Sequence, residues 1–382
     1  MAHDLHPLPD PSILAHIVDV HCHPTDSPTP PEAMTAMSHR MCAMATRASD
    51  QPLVRKLAEQ YPDSVIPCFG YHPWFYHWIS LAPASAVPSK RSHYASLFLP
   101  SSKPQHADAF ERLLPFLPDP TPLETVLAGL RADLTAFPHA MLGEVGLDRA
   151  CRVLYKHPVA PPYAEAYTAH DHDDKGDGAS SLSPFTIPLA HQVAILEAQL
   201  ALAVELRRNV SLHSVQAPQA TAELLARMKA HFGRAWMDIS VDLHSCGLSA
   251  EGWRNFERTH TNVFLSLSTG INARSRGHIA LLRAAAPTRL LVESDFHDAR
   301  LSAPYTWDMV CRIADARGWR VEQSAAEVEE VGGEDETQWG VVRRLAENWR
   351  TFEHGGHREA PRTKKRDKRR LLLDDSEEEE DE

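Results

Sequence analysis

Eight short apolar runs, four to eight residues each, alternate with helical stretches along the chain, and most of them end at a histidine or a carboxylate. The runs are Ile17–Val20, Met41–Ala45, Val65–Phe69, Ala140–Glu144, Val210–His213, Met237–His244, Val263–Ser268 and Leu290–Glu293. Helical stretches at Pro52–Gln60, His191–Arg207, Ala217–His231 and His278–Ala286 separate several of them. Leu196, Leu200, Ala203 and Val204 mark an apolar face at helical spacing. Alternation of this kind predicts an α/β protein with a parallel sheet, and eight units of it predict a (β/α)₈ barrel.

Two segments interrupt the rhythm. Residues from about 80 to 120 are rich in Ser, Pro and Ala; those from 154 to 188 carry His170-Asp171-His172-Asp173-Asp174 and then a Gly/Ser run. Both are expected to be surface insertions in connecting loops. The barrel is expected to occupy residues 1–355, and the charged segment 356–382 to be a disordered tail. Seven basic residues between Pro361 and Arg370 resemble a nuclear-localisation patch, though a solvated charge run would look the same. Eight acidic residues follow between Leu371 and Glu382.

Composition narrows the classes. With 43% hydrophobic and 24% charged residues the 382-residue chain reads as globular. No run approaches the ~18 apolar residues of a spanning helix. Met1 to Ile17 lack a basic start followed by an apolar run, so no secretory leader and no membrane association are expected. The six cysteines form no CxxC pair, which points away from a zinc ribbon and towards a reducing compartment, the cytoplasm or nucleus. A net charge of −12 does not attract polyanions by itself, so phosphate chemistry would need a local positive centre.

The strand ends could supply that centre. Functional groups of a barrel gather at the C-terminal ends of its strands. The first strand runs into His21-Cys22-His23, and residues two apart in an extended chain share a side. The third leads to Gly70-Tyr71-His72-Pro73, where His72 could face a substrate or pack on Trp74. The fourth ends in Gly143-Glu144-Val145-Gly146-Leu147-Asp148; Glu144 could bridge two metals, because a carboxylate has two oxygens. The fifth and sixth deliver His213 and His244. The eighth delivers Glu293-Ser294-Asp295: one carboxylate, with Asp295 preferred, would bind metal and hold an attacking water, and Glu293 would orient a histidine from behind. Singly, each residue has an ordinary explanation as a loop or core side chain. Jointly, four histidines and two carboxylates at the ends of strands one, four, five, six and eight suit zinc, manganese or iron. Two ions, ~3.5–4 Å apart in such sites, would account for all six.

These motifs resemble those of the TatD-type metal-dependent deoxyribonuclease family. His21-Cys22-His23 is similar to its His-x-His, Gly70-Tyr71-His72-Pro73 to its Gly-x-His-Pro, and Gly143–Asp148 to its Gly-Glu-(Ile/Val)-Gly-Leu-Asp. His213, His244 and Glu293-Ser294-Asp295 follow in the family's order, to about Phe352. The resemblance implies a (β/α)₈ barrel and a deoxyribonuclease, often exonucleolytic, with two divalent ions (Mg, Mn or Zn) and DNA as substrate. It implies that His21 and His23 bind one ion and His213 and His244 the other. Glu144 would bridge them, with Asp295 as ligand and general base. Some departures stand out: Phe296-His297 replaces the family's Ala-Pro, Ser245-Cys246-Gly247-Leu248 its Cys-Phe-Ser-Gly, and Pro24 its Leu. The insertions suggest a divergent fungal branch, in which some names imply a protein partner; insertions or tail could bind one.

Two other readings share the features. An amidohydrolase acting on a small molecule would use the same barrel and His-x-His, but many binuclear amidohydrolases carry a modified lysine where Glu144 stands. A catalytically weak interaction scaffold would explain the altered rim and insertions, but not the retention of all six ligand positions.

Overall fold

The computed structural model describes residues 5–100, 104–155, 182–273, 275, 277–330 and 335–359. Eight strands, β1 (Val18–Cys22), β2 (Arg40–Met44), β3 (Val65–Phe69), β4 (Met141–Asp148), β5 (Val210–Val215), β6 (Val241–Leu243), β7 (Val263–Ser268) and β8 (Leu290–Glu293), pair in chain order, every pair parallel. The ends of this sheet meet. Asp295 donates its N–H to the His21 carbonyl at 2.9 Å, and His23 donates to the Phe296 carbonyl at 2.8 Å. The chain therefore forms the (β/α)₈ barrel its alternation predicts. The helices between strands include α1 (Pro31–Thr35), α2 (Gln51–Gln60), α3 (Leu123–Ala136), α4 (Leu189–Leu206), α5 (Pro218–Phe232), α6 (Ala250–Thr259), α7 (His278–Ala284) and α8 (Ala299–Arg317); α9 (Val341–His354) ends the described fold.

Strand alternation sorts the apolar residues into two clusters. Val18, Val20, Cys42, Met44, Ile66, Cys68, Met141, Phe264 and Leu291 fill the barrel interior. Leu142, Val145, Leu212, Val241, Leu243, Leu265, Leu267 and Val292 face the helices. Both faces are thus buried, which is why the strands read as nearly unbroken apolar runs. α4 is long and apolar enough to cross a membrane, yet half of it is buried inside the fold and its Ile195, Leu196, Leu200 and Ala203 belong to the helix-facing core.

The bottom of the barrel is closed by α9. Its Trp349 and Phe352 join the interior cluster, and Phe352 meets Phe264 edge-on at 5.4 Å. The Phe352 carbonyl accepts bonds from the Ser240 hydroxyl at 2.6 Å and the Asn209 amide at 2.9 Å, which fastens the plug to the starts of β5 and β6.

One expectation needs correction. The sixth strand is Val241–Leu243 rather than Met237–His244, because Arg234–Met237 turns as a short helix that buries Trp236 and Met237. Asn262 holds that turn by donating to the Trp236 and Ile239 carbonyls at 3.0 and 3.1 Å. The segment near 80–120 also has structure of its own. Its helices Lys90–Phe98 and Pro104–Leu113 bury Tyr94, Phe98, Phe110 and Leu113. Phe98 stacks at 5.1 Å on Phe185, within a hairpin formed by Arg152–Leu154 and Leu182–Thr186. The two insertions follow β3 and β4, so they rise from the barrel's C-terminal side and pack on each other there. His170–Asp174 and residues 360–382 of the charged tail lie outside the described residues, whereas the start of that tail is ordered on the barrel, with the His357 N–H donating to the Met237 carbonyl at 2.7 Å.

The plug makes a stability prediction. Truncating Phe352 to Ala should cost about 3–5 kcal/mol, read as a lower denaturant midpoint at unchanged slope. A loss below about 1 kcal/mol would show that the interior cluster does not depend on α9.

Candidate metal centre

The strand ends converge on Glu144. It emerges from β4 where the register with β5 shifts between Leu142 and Val145. Leu142 and Val145 both face the helices, so the bulge turns two consecutive residues, Gly143 and Glu144, into the barrel. β1 has a matching irregularity between Asp19 and Cys22. Val20 and His21 both point inward there, after which Cys22 faces out. Simple alternation would have sent His21 to the helices.

Each oxygen of Glu144 has its own imidazole set. Oε2 lies 3.6 Å from His21 Nε2 and 3.3 Å from His23 Nε2. Oε1 lies 2.9 Å from His213 Nδ1 and 2.8 Å from His244 Nε2. Within each pair the ring nitrogens approach to 3.2 Å. Asp295 completes the first set, with Oδ1 at 3.8 Å from His21 and 3.6 Å from His23. His72 reaches Oε1 with Nε2 at 3.2 Å while its Nδ1 accepts the Trp74 N–H at 3.1 Å. It also packs edge-on against Trp74, as the second of its two alternatives expects. Glu293 sits behind His244, 3.8 Å from Nδ1, and accepts the Ser245 N–H and hydroxyl at 2.8 and 2.6 Å.

Charge distribution tells what this cluster accommodates. Burial alone would raise the Glu144 carboxyl, but His72, His244 and His21 outweigh it and hold it well below the usual range. Burial alone would lower His23, yet its bond to Glu144 and the charges of Glu144, Asp26 and Asp295 hold it up at about 9. His213 and His244 are also raised against burial, His213 by its bonds to Asp148 and Glu144, His244 by Glu144 and Glu293. His21 goes down to about 3, from burial and from His244 stacked 3.7 Å away. Burial raises Asp295 to about 6. The carboxylates therefore call for compensating positive charge at the point where nitrogen lone pairs converge. That donor set, imidazole plus carboxylate, fits a divalent cation.

Several supporting residues escaped the sequence reading. Ser211, two before His213 and on the same face, meets His21 Nδ1 at 2.7 Å. Asp148, already visible in the glutamate motif, faces His213 Nε2 at 3.3 Å and accepts the Trp74 indole N–H at 2.7 Å. Asp19 accepts the Ser294 N–H at 2.8 Å and the hydroxyls of Ser294 and Ser302 at 2.6 Å each. Ser211 and Asp19 share a signal, a polar residue inside an apolar strand two positions before a ligand candidate. Ser245 and Asp295 adopt left-handed backbone, φ 40° and 48°, where the chain leaves its strand to aim these groups.

Two outcomes follow. A Cβ on Gly146 would overlap the His213 backbone carbonyl; Gly146→Ala should therefore push β5 away and lower divalent-ion uptake at least tenfold by calorimetry, and wild-type uptake would contradict the close approach. The raised imidazoles must lose protons to offer lone pairs. Loading metal-stripped protein near neutral pH should acidify a weak buffer, and affinity should fall as pH falls. Uptake without proton release would refute the charge balance.

Residues 18–337 match the family described as TatD related DNase. The chain is 31% identical over 346 residues to the Cut9-interacting protein scn1 of Schizosaccharomyces pombe, covering 82% of this chain and 96% of that one. Among solved structures, the TatD homologue YJJV of Escherichia coli K12 superposes with a TM-score of 0.51 at 16% identity, over 90% of this chain and 100% of the other. An uncharacterised amidohydrolase of Saccharomyces cerevisiae gives 0.50 at 12% identity, over 92% and 94%. At such low identities the two structures speak for the barrel alone. The match across most of the chain speaks for more: this protein is a hydrolase belonging to the TatD-related DNase family.

Proposed function

We propose that the chain hydrolyses phosphodiester bonds in DNA, trimming strands from an end, with two divalent ions held in the centre described above. One observation carries the reading: the two oxygens of a single buried carboxylate, Glu144, face two separate imidazole pairs. In this reading His21, His23 and Asp295 would hold one ion and His213 and His244 the other, with Glu144 available to both. When bound, the ions, Mg, Mn or Zn, would supply Lewis acidity towards the phosphate and lower the pKa of water.

The chain's own groups do the rest. Asp295, its side chain 16% exposed, is the most open carboxylate of the set and takes the proton from the attacking water. His72 is oriented by the Trp74 N–H so that Nε2 carries its hydrogen, a donor aimed at Glu144 and available to a substrate oxygen beside it. Glu293 fixes the His244 ring from behind.

A protein partner is a compatible second property. The Schizosaccharomyces pombe relative is named for its interaction with Cut9, and the first insertion exposes Phe116 and Leu81 about half each. All six cysteines are free thiols, which suits a reducing compartment such as cytoplasm or nucleus.

Hydrolysis of end-labelled oligodeoxynucleotides, with bound metal counted in parallel, tests the reading. Wild type should carry two ions and shorten the strands. Asp295→Asn should slow turnover by about 10²-fold or more, the scale of a lost general base. Glu144→Gln should leave fewer than two ions. DNA that stays intact across metals and pH would refute the proposal.

A further inference from the structure

Outside the barrel wall, between α2 and α3, lies a cavity of about 300 Å³ that shares no residue with the metal centre. Its lining brings together Gln51 and Arg55 from α2, Tyr71 from the loop after β3, and Gly129, Leu130 and Asp133 from α3. Arg55 and Asp133 join the two helices as an ion pair, the aspartate side chain 14% exposed and the arginine 35%. Among the described residues, no other charged side chain lines the cavity. The polar groups are held in place before any ligand arrives. The Arg55 guanidinium lies over the Phe137 ring at 5.5 Å. Gln51 donates an Nε2 hydrogen to the Gly70 carbonyl at 2.6 Å, which fixes the other end of its amide as the acceptor. That acceptor, the buried Oε1, has no hydrogen-bond partner among the described residues. Tyr71 donates its N–H to Gln199 Oε1 at 3.0 Å. Burial and the nearby Asp50 push the Tyr71 hydroxyl up to about 12, so it keeps its proton and can donate it in a hydrogen bond.

These groups select by charge. The ion pair closes through Arg55 Nη2 and Asp133 Oδ1. A guanidinium has several N–H groups and a carboxylate two oxygens, so both keep capacity for a second partner. A lone anion in this cavity would be drawn to Arg55 and repelled by Asp133, and a lone cation the reverse. A molecule that carries both charges a few bonds apart is attracted at both ends. It also offers an N–H to the bare Gln51 oxygen, which is costly to leave buried without one. Leu130 and the Tyr71 ring add an apolar wall, and the volume stands at the lower end of small-molecule pockets. We propose that this cavity binds a free α-amino acid with an apolar side chain, its carboxylate on Arg55 and the Tyr71 hydroxyl and its ammonium on Asp133 and Gln51 Oε1. The occupant then lies against Tyr71, the residue before His72, on the loop that brings His72 to Glu144.

Calorimetry on the full chain tests the site, with L-phenylalanine and L-leucine as probes. N-acetyl-L-phenylalanine, which lacks the ammonium, and L-phenylalaninamide, which lacks the carboxylate, are the controls. At least one amino acid should bind with a Kd of about 1 mM or below. Each control should bind roughly tenfold or more weakly than L-phenylalanine, the scale of one lost hydrogen bond to a charged group. Gly129→Leu tests the place. A Cβ there meets no atom within 4 Å, and a helix interior favours leucine over glycine, so the fold tolerates a side chain that fills the cavity. This variant should bind neither amino acid. Asp133→Asn should erase the advantage of L-phenylalanine over its N-acetyl form, a ratio that a change in folded fraction does not move. Absence of binding by both amino acids overturns the proposal. So do controls that bind as well as L-phenylalanine, undiminished binding by Gly129→Leu, or a ratio that Asp133→Asn leaves unchanged.

Discussion

A buried carboxylate needs partners, and the site is organised around how Glu144 finds them. Left alone in the barrel mouth, its charge would cost several kcal/mol. Five imidazole rings surround it instead, and they come from β1, the loop after β3, β5 and the end of β6. None of these strands neighbours all the others, so the arrangement exists only when the barrel has closed. The seam between β8 and β1 is consequently part of the site. Asp295 donates to the His21 carbonyl, and Asp19 gathers Ser294 and Ser302 across the same joint. A cluster that depends on closure and a closure fastened beside the cluster reinforce each other.

The fold was legible because burial on both faces leaves a plain mark: apolar runs with no polar alternation, spaced by helical stretches. The third, seventh and eighth strands coincide with their expected ranges. Where the reading faltered, local polar contacts decided the backbone. Asn262 bonds the Trp236 and Ile239 carbonyls, the second of which a longer sixth strand would have placed in the ladder, and the chain turns as a helix instead. The aromatic residues of the first insertion gave no periodic signal, because a partner such as Phe185 comes from a strand pair far along the chain.

The site was legible for a different reason. Its residues stand at strand ends, and strand ends are where a barrel exposes functional groups. What one-dimensional reading could not supply was direction. Strict alternation after Val18 and Val20 would turn His21 outward, and only the irregularity in β1 brings it beside His244. Gly143 and Glu144 face inward together for the same reason on β4. Bulges have no residue signature of their own, although a glycine flanking each side of Glu144 is what lets this one lie so close to Met44, Ser211 and the His213 backbone.

Stability and chemistry are divided between the two ends of the barrel. At the bottom, Trp349 and Phe352 seal an apolar interior in which no polar group is needed. Going up, the interior changes character: Ser211, Ser266, Asp242 and Glu293 are all fully buried, and they bond to one another or to the rings above. Such a polar layer is stable only when each member is satisfied. Here it ends in imidazole nitrogens directed at Glu144, a donor set that could hold a divalent cation. Among the described residues, the insertions pack over that same side, after β3 and β4.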